Sequence, residues 1–371
     1  MRSRQTGLLV LIGVVAMAVL ACKKAKNDPE KEEEVQFDRS GMLTNYANNV
    51  IIPNIAMAKT SMDSLVMAYN TFTANKTIQN LQTVRQRYIT ATIRFQHIST
   101  FEFGPSESEL VRSNFNTYPT DTLQINANIA NGSYDLNTTD NIDAKGFPAV
   151  DFLLFGLNTS DTAVVSTFAN AGRSNYVQNC LSEMQTRLNS ILNSWNGSYR
   201  SSFISSTGSS IGSSLGLLVN QLDFEVDLLK NGKIGIPMGK KSAGTILPEK
   251  CEAYYARTIS VRLAKECLTN IEDDYLGRSY AGSDGLGLDD YLTALKTSHG
   301  SGTLNDAIKA QFAIAKSKLN NVSEPLSATI VSDPATVDAA YIEIQRLLVL
   351  LKTDMPSAMG IVITYQDSDG D

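Results

Sequence analysis

The chain has 371 residues, of which 43% are apolar and 19% charged, and its formal net charge is −6. That length suits about two ordinary domains; the apolar content excludes a disordered chain, and the acidic balance excludes a basic nucleic-acid binder. Four cysteines are too few for a disulfide miniprotein, and two histidines leave little for a histidine-rich zinc site.

Arg2 and Arg4 precede an uncharged apolar run over residues 7–19. This run lies at the extreme N-terminus and is shorter than the roughly 20 residues of a spanning helix, so it reads as the core of a secretory signal. It ends in Leu20, Ala21 and Cys22. Small residues before a cysteine resemble the lipobox of bacterial lipoproteins. The expectation is a signal over residues 1–21 and a diacylglycerol on the Cys22 thiol, which makes a membrane the first partner. Lys23 after the lipid site is compatible with outer-membrane sorting. Residues 22–37 lack apolar periodicity and read as a charged tether. Loss of Arg2 and Arg4 takes the charge from −6 to −8. No later segment reaches transmembrane length.

From residue 77 onward the body reads as helices. Ile78, Leu81, Val84, Tyr88, Ala91 and Phe95 recur in steps of three and four, one face of a helix. Residues 176–195 are helix-compatible, and Leu218, Leu222 and Leu229 mark a further helix. Residues 249–276 hold neither Gly nor Pro and read as one long helix. On it Cys251 and Cys267 stand ~24 Å apart, too far to bridge, so buried free thiols are expected for Cys180, Cys251 and Cys267. Leu304, Ile308, Phe312 and Leu319 mark another helix. The last begins at Asp333-Pro334 and runs through Val337, Ala340, Tyr341, Ile344, Leu347, Leu348 and Leu351. Asn196-Gly197 and Asn231-Gly232 read as helix ends. Strand signals are weak, so the fold class is all-α, packed as bundles. A Ser/Gly-rich break over 201–214 divides the chain into helical halves over 38–205 and 206–371.

Much familiar chemistry is missing. There is no His-Glu-x-x-His or Glu-x-x-His, no Cys-x-x-Cys and no phosphate-cradling glycine loop. Two overlapping Gly-x-Ser-x-Gly matches at 208–216 lie in a Ser/Gly-rich stretch with no apolar strand before them, so they reflect composition. The tail from Asp367 to Asp371 looks like the opening of a calcium loop and reads as a solvated acidic end.

Five segments carry a resemblance: NYANNVIIP at 45–53, FEFGP at 101–105, KGFPAVDFLLFG at 145–156, KIGIPMG at 233–239, and DMPSA with ITYQD in the tail. In this order they resemble the imelysin-like lipoproteins, also called insulin-cleaving membrane protease-like proteins. The resemblance implies two four-helix-bundle-like domains packed side by side and a site near their interface. It also implies an envelope location and an association with iron uptake and its partner proteins. The family's peptidase label rests on Gly-x-His-x-x-Glu, read as metal binding. Here Pro148 stands in the histidine place and Asp151 in the glutamate place. Two groups three apart on a helix share a face and could hold one metal, but proline has no donor. No catalytic residue is therefore assigned. The candidate ligand-binding residues are Gly146, Phe147, Pro148 and Asp151, with Glu102, Phe103, Gly104 and Pro105, and with Tyr254 and Tyr255. Only one of the two adjacent tyrosines is expected to face a cleft. Asp151 and Glu102 are the candidate metal oxygens, with iron as the implied metal, because hard cations favour carboxylate and phenolate. Read by itself, Gly146-Phe147-Pro148 is the start of a helix with Asp151 near its positive end. His97 reads as a partly exposed, non-ligating side chain.

Overall fold

A computed structural model describes residues 36–365. The signal, Cys22, most of the tether and the acidic tail lie outside the described residues. Phe37, at the expected end of the tether, packs on the ring of Tyr291 with centroids 5.0 Å apart.

The described chain is predominantly α-helical, as its periodicity implies. Helix α1 (Arg39–Asn45) leads into α2 (Ile52–Ala74) through a wide π turn, and α3 (Ile78–Gln96) returns alongside it. Thr77 caps α3 by accepting from the Asn80 amide at 3.2 Å. The expected stripe from Leu81 to Phe95 is buried, whereas Ile78 in the first turn is left exposed. Short helices α4 (Val111–Asn116), α5 (Thr122–Asn131) and α6 (Gly146–Asp151) follow. Long helix α7 (Ala171–Ser194) then packs on α2.

Helix α8 (Ser214–Asp227) is buried nearly all round, which marks it as the centre of the molecule. It touches the turn after α3, helix α9 (Ser260–Tyr275) and helix α12 (Pro334–Val349). Between α9 and α12 come α10 (Leu288–Leu295) and α11 (Leu304–Asn320), and α13 (Met355–Met359) follows α12. Asp333 caps α12 by accepting from the Thr336 amide, as its sequence suggests. The sole sheet among the described residues is a hairpin of β1 (Ser298–His299) and β2 (Gly302–Thr303). No helix of the described residues is long and apolar enough to cross a membrane. Cys180, Cys251 and Cys267 are free and buried.

Two local expectations are corrected. Residues 249–276 are not one helix: a single turn at Pro248–Lys250 gives way to an irregular loop before α9. Ala253 and Arg257 take positive φ there, of 51° and 59°, which no α-helix accepts. Asn231-Gly232 does not end a helix: it sits inside a π turn at Leu228–Gly235, and the chain carries on beyond it. Asn196-Gly197 does break one, as its sequence suggests: Gly197, at φ −91° and ψ −139°, leaves helical geometry inside the turn at Trp195–Tyr199 and kinks the chain between α7 and the short helix Arg200–Ser205. Further π turns occupy Tyr46–Ile51, Phe152–Gly156 and Leu350–Asp354. Such turns are over-represented at functional sites.

Candidate functional site

Helix α6 carries the segment with Pro148 and Asp151. Gly146 opens it at φ +67°, where an added Cβ would stand 2.4 Å from the Phe115 carbonyl oxygen. Phe147 is buried against Tyr88, Phe95 and Phe115. Asp151 is the last residue of α6, so it does not sit at that helix's positive end as its sequence suggests. Its carboxylate crosses to the irregular loop, where Oδ2 accepts from the Tyr255 amide and Oδ1 from the Ala256 amide, each at 2.9 Å. The loop's backbone thus has its donors satisfied by a residue over a hundred positions away. The side chain of Tyr255 lies against Phe152 and against the open face of Gly156, where a Cβ would meet the ring at 2.4 Å.

This arrangement encloses a pocket of about 250 Å³. Pro148, Asp151, Tyr254 and Tyr255 all line it, together with Tyr118 and Pro119. Both tyrosines therefore face the same space, where the sequence suggested one. The other candidate segment lies elsewhere. Glu102 is not among the residues lining this pocket; its carboxylate accepts from the Arg112 amide at 3.1 and 3.3 Å. Phe103 stacks on Phe203 at 5.8 Å and meets Trp195 edge-on. Gly104 and Pro105 line a separate surface pocket beside Tyr199. His97 pairs with Glu266 at 3.4 Å.

A larger cavity of about 530 Å³ shares Tyr118 and Pro119 with the first, and the sequence reading missed it. Its polar wall is built from distant parts of the chain. Glu225 on α8 accepts from Ser99 Oγ at 2.8 Å and from Arg112 Nη2 at 3.3 Å. Arg112 also donates to the Ser99 carbonyl at 2.8 Å and lies over the Phe224 ring, 4.6 Å from its centroid. Lys233, in the π turn after α8, donates to Glu252 Oε2 at 2.6 Å. Glu252 Oε1 in turn accepts from Asn116 at 2.6 Å and Gln96 at 3.0 Å. Burial, with Glu225 nearby, pushes the Cys267 thiol well above its ordinary range, so it stays protonated. One signal for this cavity was present in the sequence. Glu225 interrupts the stripe of Leu218, Leu222 and Leu229, and a charge on a leucine stripe is buried with a partner.

The model of the peptidase M75 family, imelysin, matches residues 51–353. The chain belongs to the imelysin family. Two solved structures resemble it in fold. One is a candidate iron-regulated protein A precursor from Parabacteroides distasonis ATCC 8503, with a TM-score of 0.73 at 16% identity, covering 86% of this chain and 94% of that one. The other is an imelysin-like protein from Psychrobacter arcticum 273-4, with a TM-score of 0.68 at 21% identity, covering 88% of this chain and 97% of that one. No curated protein matches the chain.

The metal that the imelysin motif implies does not fit these residues. Pro148 offers no donor, and both Asp151 oxygens already accept backbone amides. Among the described residues no three His, Cys, Asp or Glu groups gather closely enough to hold an ion. Burial pushes the Asp151 carboxyl up to about 7; the two amides oppose the shift and Glu252 adds to it. Burial also pushes Glu102 up to about 7, against the pull of Arg112.

Asp151 therefore has a pH signature. Its carboxyl ordinarily titrates near 3.8. Between there and about 7 the folded chain keeps a proton that the unfolded chain has released. The group's penalty on the fold is thus absent below about pH 4, grows as pH rises and is complete above about pH 7. Asp151→Asn is expected to flatten the fall of unfolding free energy across that window, by up to ~1.4 kcal/mol per pH unit. Denaturant titrations at several pH values check this, and an unchanged slope would refute it. Glu102 keeps its own contribution in the variant.

Proposed function

We propose that this imelysin-family chain is a non-catalytic, ligand-binding component of the cell envelope, anchored by lipid on Cys22 and associated with iron uptake. Its site in this reading is the 530 Å³ cavity with the adjoining pocket at Asp151. The observation that carries the proposal is the pairing of a roomy, mostly apolar cavity that holds a few charged groups with a motif aspartate already committed to two backbone amides. A size of this order suits a small molecule. The iron association draws on the Parabacteroides distasonis protein, which is named as iron-regulated. The outer membrane is the proposed location, on the strength of the lipobox-like segment.

The same reading takes the fold as two bundles, 38–205 and 206–371, with the site in the cleft between them. In support, Phe95, Ser99 and Arg112 line the cavity from the first half and Phe224, Glu225 and Lys233 from the second.

Gly232 offers the test. It lines the cavity, and a Cβ there would meet nothing nearer than Tyr118 Oη at 3.8 Å. Gly232→Leu is expected to fold normally, fill the space and abolish small-molecule binding as read by ligand-detected NMR. In cells lacking the native protein, it is expected to fail to restore uptake of radioactive iron that the unaltered chain restores. Binding and uptake that survive Gly232→Leu would overturn the proposal. So would proteolysis that a chelator stops and Asp151→Ala removes, which would favour a metal-dependent peptidase.

A further inference from the structure

We propose that the 530 Å³ cavity takes a small organic carboxylate, a single negative charge on an apolar body. The inference rests on reading this cavity as a ligand site and adds the class of ligand. Three cations line it: Arg112, Lys233 and Lys250. Two have counter-ions, since Arg112 lies 3.3 Å from Glu225 and Lys233 lies 2.6 Å from Glu252. The Lys250 ammonium has no hydrogen-bond or ion-pair partner among the described residues.

One uncompensated, half-buried cation beside an apolar wall favours one incoming negative charge. A dianion would have to take a cation from Glu225 or Glu252 and leave that buried carboxylate unpaired. The remainder of the wall decides the body of the ligand. Phe95, Pro119, Phe224, Leu228 and Ile236 present rings and aliphatic groups that an inorganic anion would leave uncovered. Arg112, held over the Phe224 ring and on the Ser99 carbonyl, keeps its place when a ligand enters. Tyr118 adds a donor: burial holds its hydroxyl protonated far above neutrality.

Calorimetric titration of the full chain with 3-phenylpropanoate and 3-phenylpropanamide tests this, because the pair match in shape and differ in charge. The carboxylate is expected to bind at least about ten-fold more tightly. Lys250→Gln is expected to remove that advantage and leave the amide unaffected, while Lys250→Arg keeps it. Equal binding of the two probes, or a carboxylate preference that survives Lys250→Gln, would overturn the inference. If both probes bind alike and Gly232→Leu blocks both, the ligand class falls and the cavity reading stands. If nothing binds, both fall.

Discussion

Lys233→Met is expected to lower the unfolding free energy by about 3–5 kcal/mol, because it strands a buried carboxylate. Lys233 and Glu252 are both almost wholly buried, and their charged atoms are 2.6 Å apart. Burial alone would drive the Lys233 proton off. Glu252 and its neighbours more than offset this, so the ammonium holds its proton more tightly than in water. With the ammonium gone, Glu252 keeps only the neutral amides of Asn116 and Gln96. Adding Glu252→Gln removes the stranded charge and leaves an oxygen for those amides to donate to. The double variant is therefore expected to be more stable than Lys233→Met alone, by about 1.5–3 kcal/mol. Urea unfolding of the chain, the two single variants and the double variant gives the coupling directly. A double variant no better than Lys233→Met would show that shape, not charge, is what the site loses.

Gly146→Ala is expected to cost about 3 kcal/mol. Two effects add at this position. A φ of +67° is strained for any residue with a side chain, and the added Cβ would stand 2.4 Å from the Phe115 carbonyl oxygen and 2.7 Å from that of Asn114. Those are backbone atoms of α4, so no rotamer change relieves the contact. Gly132→Ala is the matched control. Its φ is +73° with nothing within 4 Å of the added atom, so it is expected to show the strain alone, about 1 kcal/mol. Equal losses in the two variants would mean that α4 yields.

The long helices were legible because each keeps one apolar stripe at a period near 3.6 over several turns. The stripe from Leu81 to Phe95 and the Leu304, Ile308, Phe312, Leu319 set are both buried as read. The region after Pro248 was not legible. Absence of Gly and Pro from residues 249–276 says only that a helix is permitted, and there two residues at positive φ break it. The site was half legible. The family-like segments led to Pro148 and Asp151, and the preference of hard cations for phenolate led to the tyrosine pair; all four share a pocket. The segments also led to Glu102, whose partner is the amide of Arg112. The larger cavity escaped because its charged pairs join residues far apart in sequence, Arg112 with Glu225 and Lys233 with Glu252. No spacing rule reaches across such distances.

The π turns bear on how this sequence is compared with others. Where the helix stays continuous, such a turn amounts to one residue inserted into an α-helix, and one residue turns the helix by about 100°. The buried positions record it: Leu43, Ala47, Ile51 and Ile55 recur every four residues through the first such turn, after which Ala58, Met62, Leu65, Tyr69 and Phe72 resume the ordinary three-and-four rhythm. A relative with a regular helix at that point would align only across a one-residue gap, in a place where gaps are normally penalised. Four of the five turns fall within or overlap the segments that carry the family likeness, at 45–53, 145–156, 233–239 and 354–358. The words by which this sequence is recognised thus coincide with the places where its helices change phase.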